Sequence, residues 1–187
     1  MLGYVFWHRP LPDIDRQRYE EAIVRFQRAL ALQPPPGFVS ATSFQIEAVP
    51  WLSDRPGYED WYLVEGSWAL DPLNAFAITG ATQAPHDHAA AQMEEGHGGL
   101  YAHAGGEPVT AARSTIYWLT RPRGIKWQPA LAMVRGKCPQ ANVWRRQMVL
   151  GVASEFAVET PGDAEIEVPP GWQARRLKRV RLPRAAA

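Results

Sequence analysis

Apolar and polar positions alternate along several short stretches of this chain and recur at helical spacing in others. The clearest stretch runs from Glu59 to Asn74. Trp61 and Leu63 point one way and Tyr62 and Val64 the other, the period of a strand with both faces covered. Asp71-Pro72 then reads as a cap followed by proline at the first helical position, where its missing N–H costs nothing. The pattern predicts a strand running into a helix over about 72–79. Upstream, Gly3 to His8 reads as a short aromatic strand closed by Arg9-Pro10. Pro12-Asp13 offers a helix start. From Ile14 to Leu32 the positions Tyr19, Ala22, Ile23, Phe26, Ala29 and Leu30 build one face of a helix, and Pro34-Pro35-Pro36-Gly37 stops it. Phe44, Ile46 and Ala48 alternate with polar residues as in a half-buried strand. After an interruption at 80–84, Pro85 restarts a helix that ends in a glycine-rich turn at 96–99. Leu100 to Ala104 is then a short strand.

The first 105 or so residues therefore read β-α-β-β-α-β, the ferredoxin-like order. In the sheet order 4-1-3-2 the first and fourth strands are adjacent and antiparallel. Thr115 to Pro122 (TIYWLTRP) echoes Gly3 to Pro10 (GYVFWHRP) in type. A helix over 125–134, strands over 142–151 and 155–159, a polar loop over 162–171 and a strand over 172–182 complete the chain. The expectation is an α+β fold of two ferredoxin-like halves, 1–108 and 109–187. The second is degenerate, its second helix reduced to a loop.

Composition narrows the setting. A chain of 187 residues buries roughly 70% of the surface it would expose unfolded, enough for a substantial core. Eight tryptophans point to bulky aromatic packing around a cavity. The net charge of +1 argues against a whole-surface field for nucleic acid or anionic membrane. The single cysteine, Cys138, allows no internal disulfide and no cysteine-based zinc site. No apolar run approaches the ~18 residues of a membrane helix, and the N-terminus does not read as a signal peptide. A soluble cytoplasmic protein is expected. Arg175, Arg176, Lys178, Arg179, Arg181 and Arg184 concentrate positive charge near the C-terminus, which reads as an edge strand guarded against aggregation, followed by a frayed tail.

Three segments, YLVEGSWALDPLN (62–74), PHDHAAAQMEEGHGGLY (85–101) and WRRQMVLGVASEF (144–156), resemble the dimeric α/β-barrel superfamily. That group holds antibiotic-biosynthesis monooxygenases, EthD-like proteins and chlorite-dismutase-like haem proteins. The resemblance implies sheets packed as a closed barrel, between two chains or two repeats of one chain. It also implies a cavity between sheet and helices for a hydrophobic small molecule. It carries over no catalytic residue.

Candidate chemistry comes from the residues themselves. Glu65 sits at the end of an apolar strand; burial beside a cavity would raise its pKa and suit it as a general base, whereas a strand's wet end or an arginine partner would leave it structural. His8 and His103 are the histidines placed on strands. His86-Asp87-His88 is a sharper cluster, but on a helix residues two apart diverge, and a polar helix N-terminus accounts for it. Of Arg145 and Arg146, one must face each side of a strand, where a guanidinium fork could meet a carboxylate or an anionic ligand. Trp7, Trp61, Tyr62, Tyr101, Trp118 and Arg145 are the expected ligand-binding set, with Glu65, His8 and His103 as catalytic candidates. The expected function is binding of a small, largely apolar organic molecule in a homodimer, with turnover as a cofactor-independent monooxygenase or isomerase. No metal or cofactor is expected. The alternatives are a non-catalytic ligand-binding or assembly protein and, if a histidine can serve as axial ligand, a haem protein.

Overall fold

The computed structural model describes residues 1–183; Arg184 lies outside the described residues. Its elements are β1 (Leu2–Pro10), α1 (Arg16–Leu32), β2 (Phe38–Val49), β3 (Arg55–Val64), α2 (Leu70–Ala77), α3 (Gly80–Ala90), β4 (Met93–Gly105), β5 (Arg113–Thr120), α4 (Trp127–Lys137), β6 (Asn142–Arg146), β7 (Phe156–Pro161) and β8 (Gln173–Arg181). The eight strands close into one antiparallel barrel in the order β1-β3-β2-β8-β5-β7-β6-β4. The first four strands lie as β4-β1-β3-β2 and the last four as β8-β5-β7-β6, the same connectivity in both runs. The sheet closes within a single chain.

The pleat sorts side chains into an inside and an outside. Val5, Trp7, Trp61, Tyr101, Ile116, Trp118, Trp144 and Leu177 pack together inside the barrel. Outside, Tyr62 and Val64 pack under Phe26, Leu30, Ala69 and Leu73. On the far side, Tyr117, Leu119, Val143, Phe156 and Val158 pack under α4 through Ala130 and Val134. Ile166 and Val168 of the loop after β7 join that second outer cluster, so the loop supplies apolar cover there.

Several local expectations shift for identifiable reasons. Asp15, not Asp13, caps α1, its carboxylate accepting from the Arg18 backbone N–H at 3.0 Å. A 3-10 turn at Ser67–Ala69 precedes α2, which puts Asp71 in the helix's first turn rather than at its cap. Helix α3 begins at Gly80 and runs through Pro85. The proline removes one helical hydrogen bond, and His86 anchors the turn edge-on against Phe26 of α1, with ring centroids 5.4 Å apart. The expected turn at 96–99 is instead the middle of the thirteen-residue β4. A Cβ on Gly96 would lie 2.6 Å from the Phe6 ring, and one on Gly99 would lie 2.9 Å from the Trp7 ring. These glycines make room for the aromatics of the neighbouring strand. β6 stops at Arg146, and residues 147–155 form a loop before β7.

The expectation of an edge strand near the C-terminus is overturned. β8 pairs with both β2 and β5, so it has no free edge to guard. Its alternate residues point into the barrel, and Arg179 is among the largest fully buried side chains. The aromatic echo also sits in a different register from its spelling. Matching the two Arg-Pro pairs sets Trp7 against Leu119, yet Trp7 shares the barrel interior with Trp118 while Leu119 faces α4. A one-residue slip reverses every side chain on a strand.

Candidate functional site

The barrel interior is filled. Trp7, Trp51 and Trp118 meet edge to face with centroids 5.3–5.8 Å apart, and Trp61 lies 5.1 Å from Trp144. A buried charge network runs among them. Arg179 donates to Glu59 and to Glu159, each at 2.6 Å. Trp7 and Trp61 donate their indole N–H groups to Glu59 at 2.9 and 2.7 Å, and Asn142 and Trp144 donate to Glu159. Burial alone pulls the Arg179 guanidinium toward neutrality; the two carboxylates outweigh it and hold the pKa above the ordinary value. Trp7, Trp61, Tyr101 and Trp118 therefore pack the barrel core rather than line a ligand cavity, because closure within one chain leaves the indoles facing one another.

The open space lies outside the barrel, between its first four strands and α1–α3. This cavity holds about 450 Å³. Phe6, Ile23, Phe26, Leu30, Leu73 and Met93 form much of its wall. One end is polar and comes from three elements. His8 of β1 places Nδ1 2.7 Å from the Tyr19 hydroxyl of α1. Its Nε2 lies 3.2 Å from Oδ2 of Asp60 on β3, out of line for a hydrogen bond. Tyr62 donates to the same carboxylate at 3.0 Å, and Ser43, itself bonded to Gln27, donates to its other oxygen. The His8 ring is held between Phe6 and Tyr58, with centroids 5.3 and 5.6 Å away. Burial, then the Asp60 charge, raises the pKa of Tyr4 and lifts that of Tyr62 well above the ordinary value. Both phenols stay neutral near pH 7. The Tyr4 hydroxyl makes no hydrogen bond to the described residues and faces the cavity as a free donor.

Of the sequence-derived site residues, His8 and Tyr62 meet in this cavity. Glu65 does not reach it. It lies exposed just past the end of β3, the wet strand end that leaves it structural. His103 shares the barrel-side face with Tyr101, donates to or accepts from Asn142 at 3.0 Å and leans on Trp144. β1 and β4 are adjacent and antiparallel, but His8 faces out and His103 in, so the two never converge. Arg145 turns outward and lies 4.6 Å over the Trp127 ring; Arg146 takes the inward face. His86 and His88 diverge on α3 as their spacing requires, and they sit in its second half rather than at its N-terminus. Asp60 and Tyr19 are the residues that pattern reading missed. Two successive acids, Glu59-Asp60, ahead of a doubly covered strand were the signal, since each must enter a different buried environment and find a partner there.

No family model and no curated protein matches the chain in sequence. Solved structures do match in shape. One is a provisionally named chlorite dismutase, with TM-score 0.55 and 6% identity over 98% of this chain and 95% of the other. Another is a provisionally named monooxygenase from Lactobacillus acidophilus NCFM, with TM-score 0.53 and 6% identity over 97% and 94%. The chain shares its fold with these two proteins. At this identity the likeness is one of fold alone, and the α/β-barrel architecture hosts varied chemistry. Among the described residues, no three His, Cys, Asp or Glu side chains cluster as a metal site would require, and no helix is long and apolar enough to cross a membrane.

Proposed function

We propose that the protein binds a small, neutral, largely apolar organic molecule in the cavity between sheet and helices, and acts on it by proton transfer at the His8–Asp60 pair. The observation that carries this reading is an apolar cavity of about 450 Å³ with its buried polar groups gathered at one end. That division orients a flat ligand: the apolar walls hold its body, and Tyr4 meets a carbonyl or hydroxyl oxygen. Asp60, whose carboxylate lines the cavity, then takes a proton from an activated position on the ligand, and His8, with Nε2 3.2 Å away, shares it. Tyr19, Tyr62 and Ser43 steady the charge in place of water. In an isomerisation the proton returns at a second carbon. In an oxygenation the carbanion passes an electron to dioxygen, the two radicals join in a C–O bond, the abstracted proton returns to the peroxide, and loss of water leaves a carbonyl.

Haem fits this cavity poorly. Both nitrogens of His8 face protein groups, Tyr19 and Asp60. Among the described residues no Lys or Arg lines the cavity to meet propionates, whereas Asp60 sets a carboxylate there. His86, the other histidine in the lining, turns Nδ1 to Asp87 at 3.0 Å and leaves Nε2 open as an axial ligand, so the charge of the lining is what weighs against haem.

The packed barrel interior favours a second reading, a ligand-binding or assembly protein without turnover, because a filled barrel is a scaffold rather than a reaction chamber. Under either reading we take the two four-strand runs, with their shared connectivity, as a duplicated ferredoxin-like unit. A homodimer would have to use a surface other than a sheet edge, since closure leaves no edge unpaired.

The test uses N-phenyl-1-naphthylamine, a neutral probe that brightens in apolar sites. Wild type should bind it saturably and Ala90→Trp, which fills the cavity, should not. Equal binding by both would place the probe elsewhere and remove the reading. Native mass spectrometry then identifies any retained compound for turnover assays. His8→Gln should slow turnover by about 10²–10⁴-fold, the usual worth of a general acid–base group. Binding without turnover in wild type selects the second reading.

A further inference from the structure

A second cleft opens at one end of the barrel, away from the cavity already described. It holds about 570 Å³ and lies between the 3-10 turn Pro50–Leu52, the segment after β5 and the loop before β7. Its chemistry is the reverse of the first. Arg121, Arg123 and Arg146 line it, with Glu155 as the one carboxylate. Glu155 is already engaged, since Arg121 donates Nε to its two oxygens at 3.1 and 3.0 Å. Arg146 spends Nη1 on the carbonyls of Ala153 and Gly151, at 2.7 and 3.4 Å. It has no acidic partner among the described residues. Arg123 is exposed and makes no ion pair with the described residues.

The donors that face no acceptor decide the matter. Arg146 Nε and Trp51 Nε1 are both buried, both belong to residues lining this cleft, and neither donates to anything among the described residues. Two more orphaned donors stand close behind. Trp118, whose ring touches Trp51, leaves Nε1 unpaired, and Arg175, paired with Trp118 across β5 and β8, leaves Nε unpaired. A buried donor without an acceptor costs free energy that a native structure normally recovers from a partner. Here several unmet donors gather beside two uncompensated guanidinium groups.

We propose that this cleft is a second binding site, for the oxyanion group of a small organic acid or phosphate ester. Both donors are covered in this structure; on binding, the Arg146 and Trp51 side chains turn Nε and Nε1 to the oxyanion, and Arg123 closes over it from solvent. Arg121 stays with Glu155 and fixes the floor.

The experiment follows tryptophan fluorescence, because Trp51 is itself a ligand group. Wild-type protein is titrated at constant ionic strength with inorganic phosphate, with benzoate, and with chloride as control. A saturable change with phosphate or benzoate but not with chloride is expected, and the responsive probe distinguishes a phosphate from a carboxylate ligand. Arg146→Gln and Arg123→Gln should each weaken it by about tenfold or more, as loss of a charged hydrogen bond does. Arg123 is solvent-exposed and unpaired, so its variant folds even if the Arg146 variant does not. Binding of N-phenyl-1-naphthylamine in the other cavity should be unaffected by Arg123→Gln, which separates the two sites. Equal responses to all three anions, no response to phosphate or benzoate, or an Arg123→Gln titration identical to wild type would each overturn the proposal.

Discussion

Replacing Arg179 with methionine tests whether the barrel is held by its central charge network. Arg179 is fully buried and bridges Glu59 on β3 and Glu159 on β7 with two 2.6 Å contacts, and its guanidinium lies 4.1 Å over the Phe44 ring. Methionine keeps most of the volume but removes the one cation between two carboxylates. Breaking a buried pair by deleting one partner costs about 3–5 kcal/mol, because the remaining charge is left desolvated and unmatched. For a chain of this size each kcal/mol lowers the melting temperature by about 2–4 °C, so a fall of roughly 6–20 °C is expected. Urea unfolding followed by far-UV circular dichroism measures the free-energy loss, and a thermal scan measures the fall in melting temperature. The triple variant Arg179→Met, Glu59→Gln, Glu159→Gln removes the stranded charges and should recover a large part of the loss. In that variant Trp144 and one of Trp7 and Trp61 keep an oxygen acceptor, while the other indole N–H meets the new amide NH2 at position 59, so the recovery is incomplete. An Arg179→Met protein within about 1 kcal/mol of wild type would refute the reasoning, as would a triple variant less stable than the single.

Other outcomes follow from the same geometry. Gly99→Val drives a branched side chain into Trp7, where even a Cβ would lie 2.9 Å from the ring; a loss of about 1–3 kcal/mol in urea unfolding is expected, and an unchanged midpoint would mean β1 and β4 are not packed as described. Glu95 is held down to about 2 by hydrogen bonds from Arg9, His97 and Ser53. Its folded pKa is below its unfolded one, so its contribution is present above about pH 4.5 and is lost as pH falls toward 2. Glu95→Gln should remove this acid-sensitive part, worth about 1 kcal/mol or less at a partly exposed site, and an identical acid profile in both proteins would count against it. Cys138 is buried, and burial, then Glu167, raises its thiol pKa. It should react with a disulfide reagent far more slowly in native than in urea-unfolded protein, and equal rates would contradict its placement against α4.

Much of this architecture is written in local periods. The helical spacing of Tyr19, Ile23, Phe26 and Leu30 predicts the face that α1 buries, and those residues are buried. The alternation in 61–64 correctly separates barrel-side Trp61 and Leu63 from helix-side Tyr62 and Val64. Periodicity speaks only for a residue's own neighbours along the chain, however. It cannot show that Gly96 and Gly99 continue a strand, because the aromatics that require them sit some ninety positions away on β1. Nor can it show that β8 has a neighbour on each side, since that depends on the whole sheet closing. The site divides in the same way. His8 was visible as a histidine on a strand, but its partners Asp60 and Tyr19 come from other elements. Glu65 looked buried because its strand is, and it falls one residue past the end. The sequence by itself determined the elements, their faces and the abundance of indoles, because backbone geometry converts spacing directly into direction. The tertiary structure alone decided which faces meet, because contacts such as His8 with Asp60, Arg179 with Glu59, or the open donors of Trp51 and Arg146 arise from strand register and barrel closure.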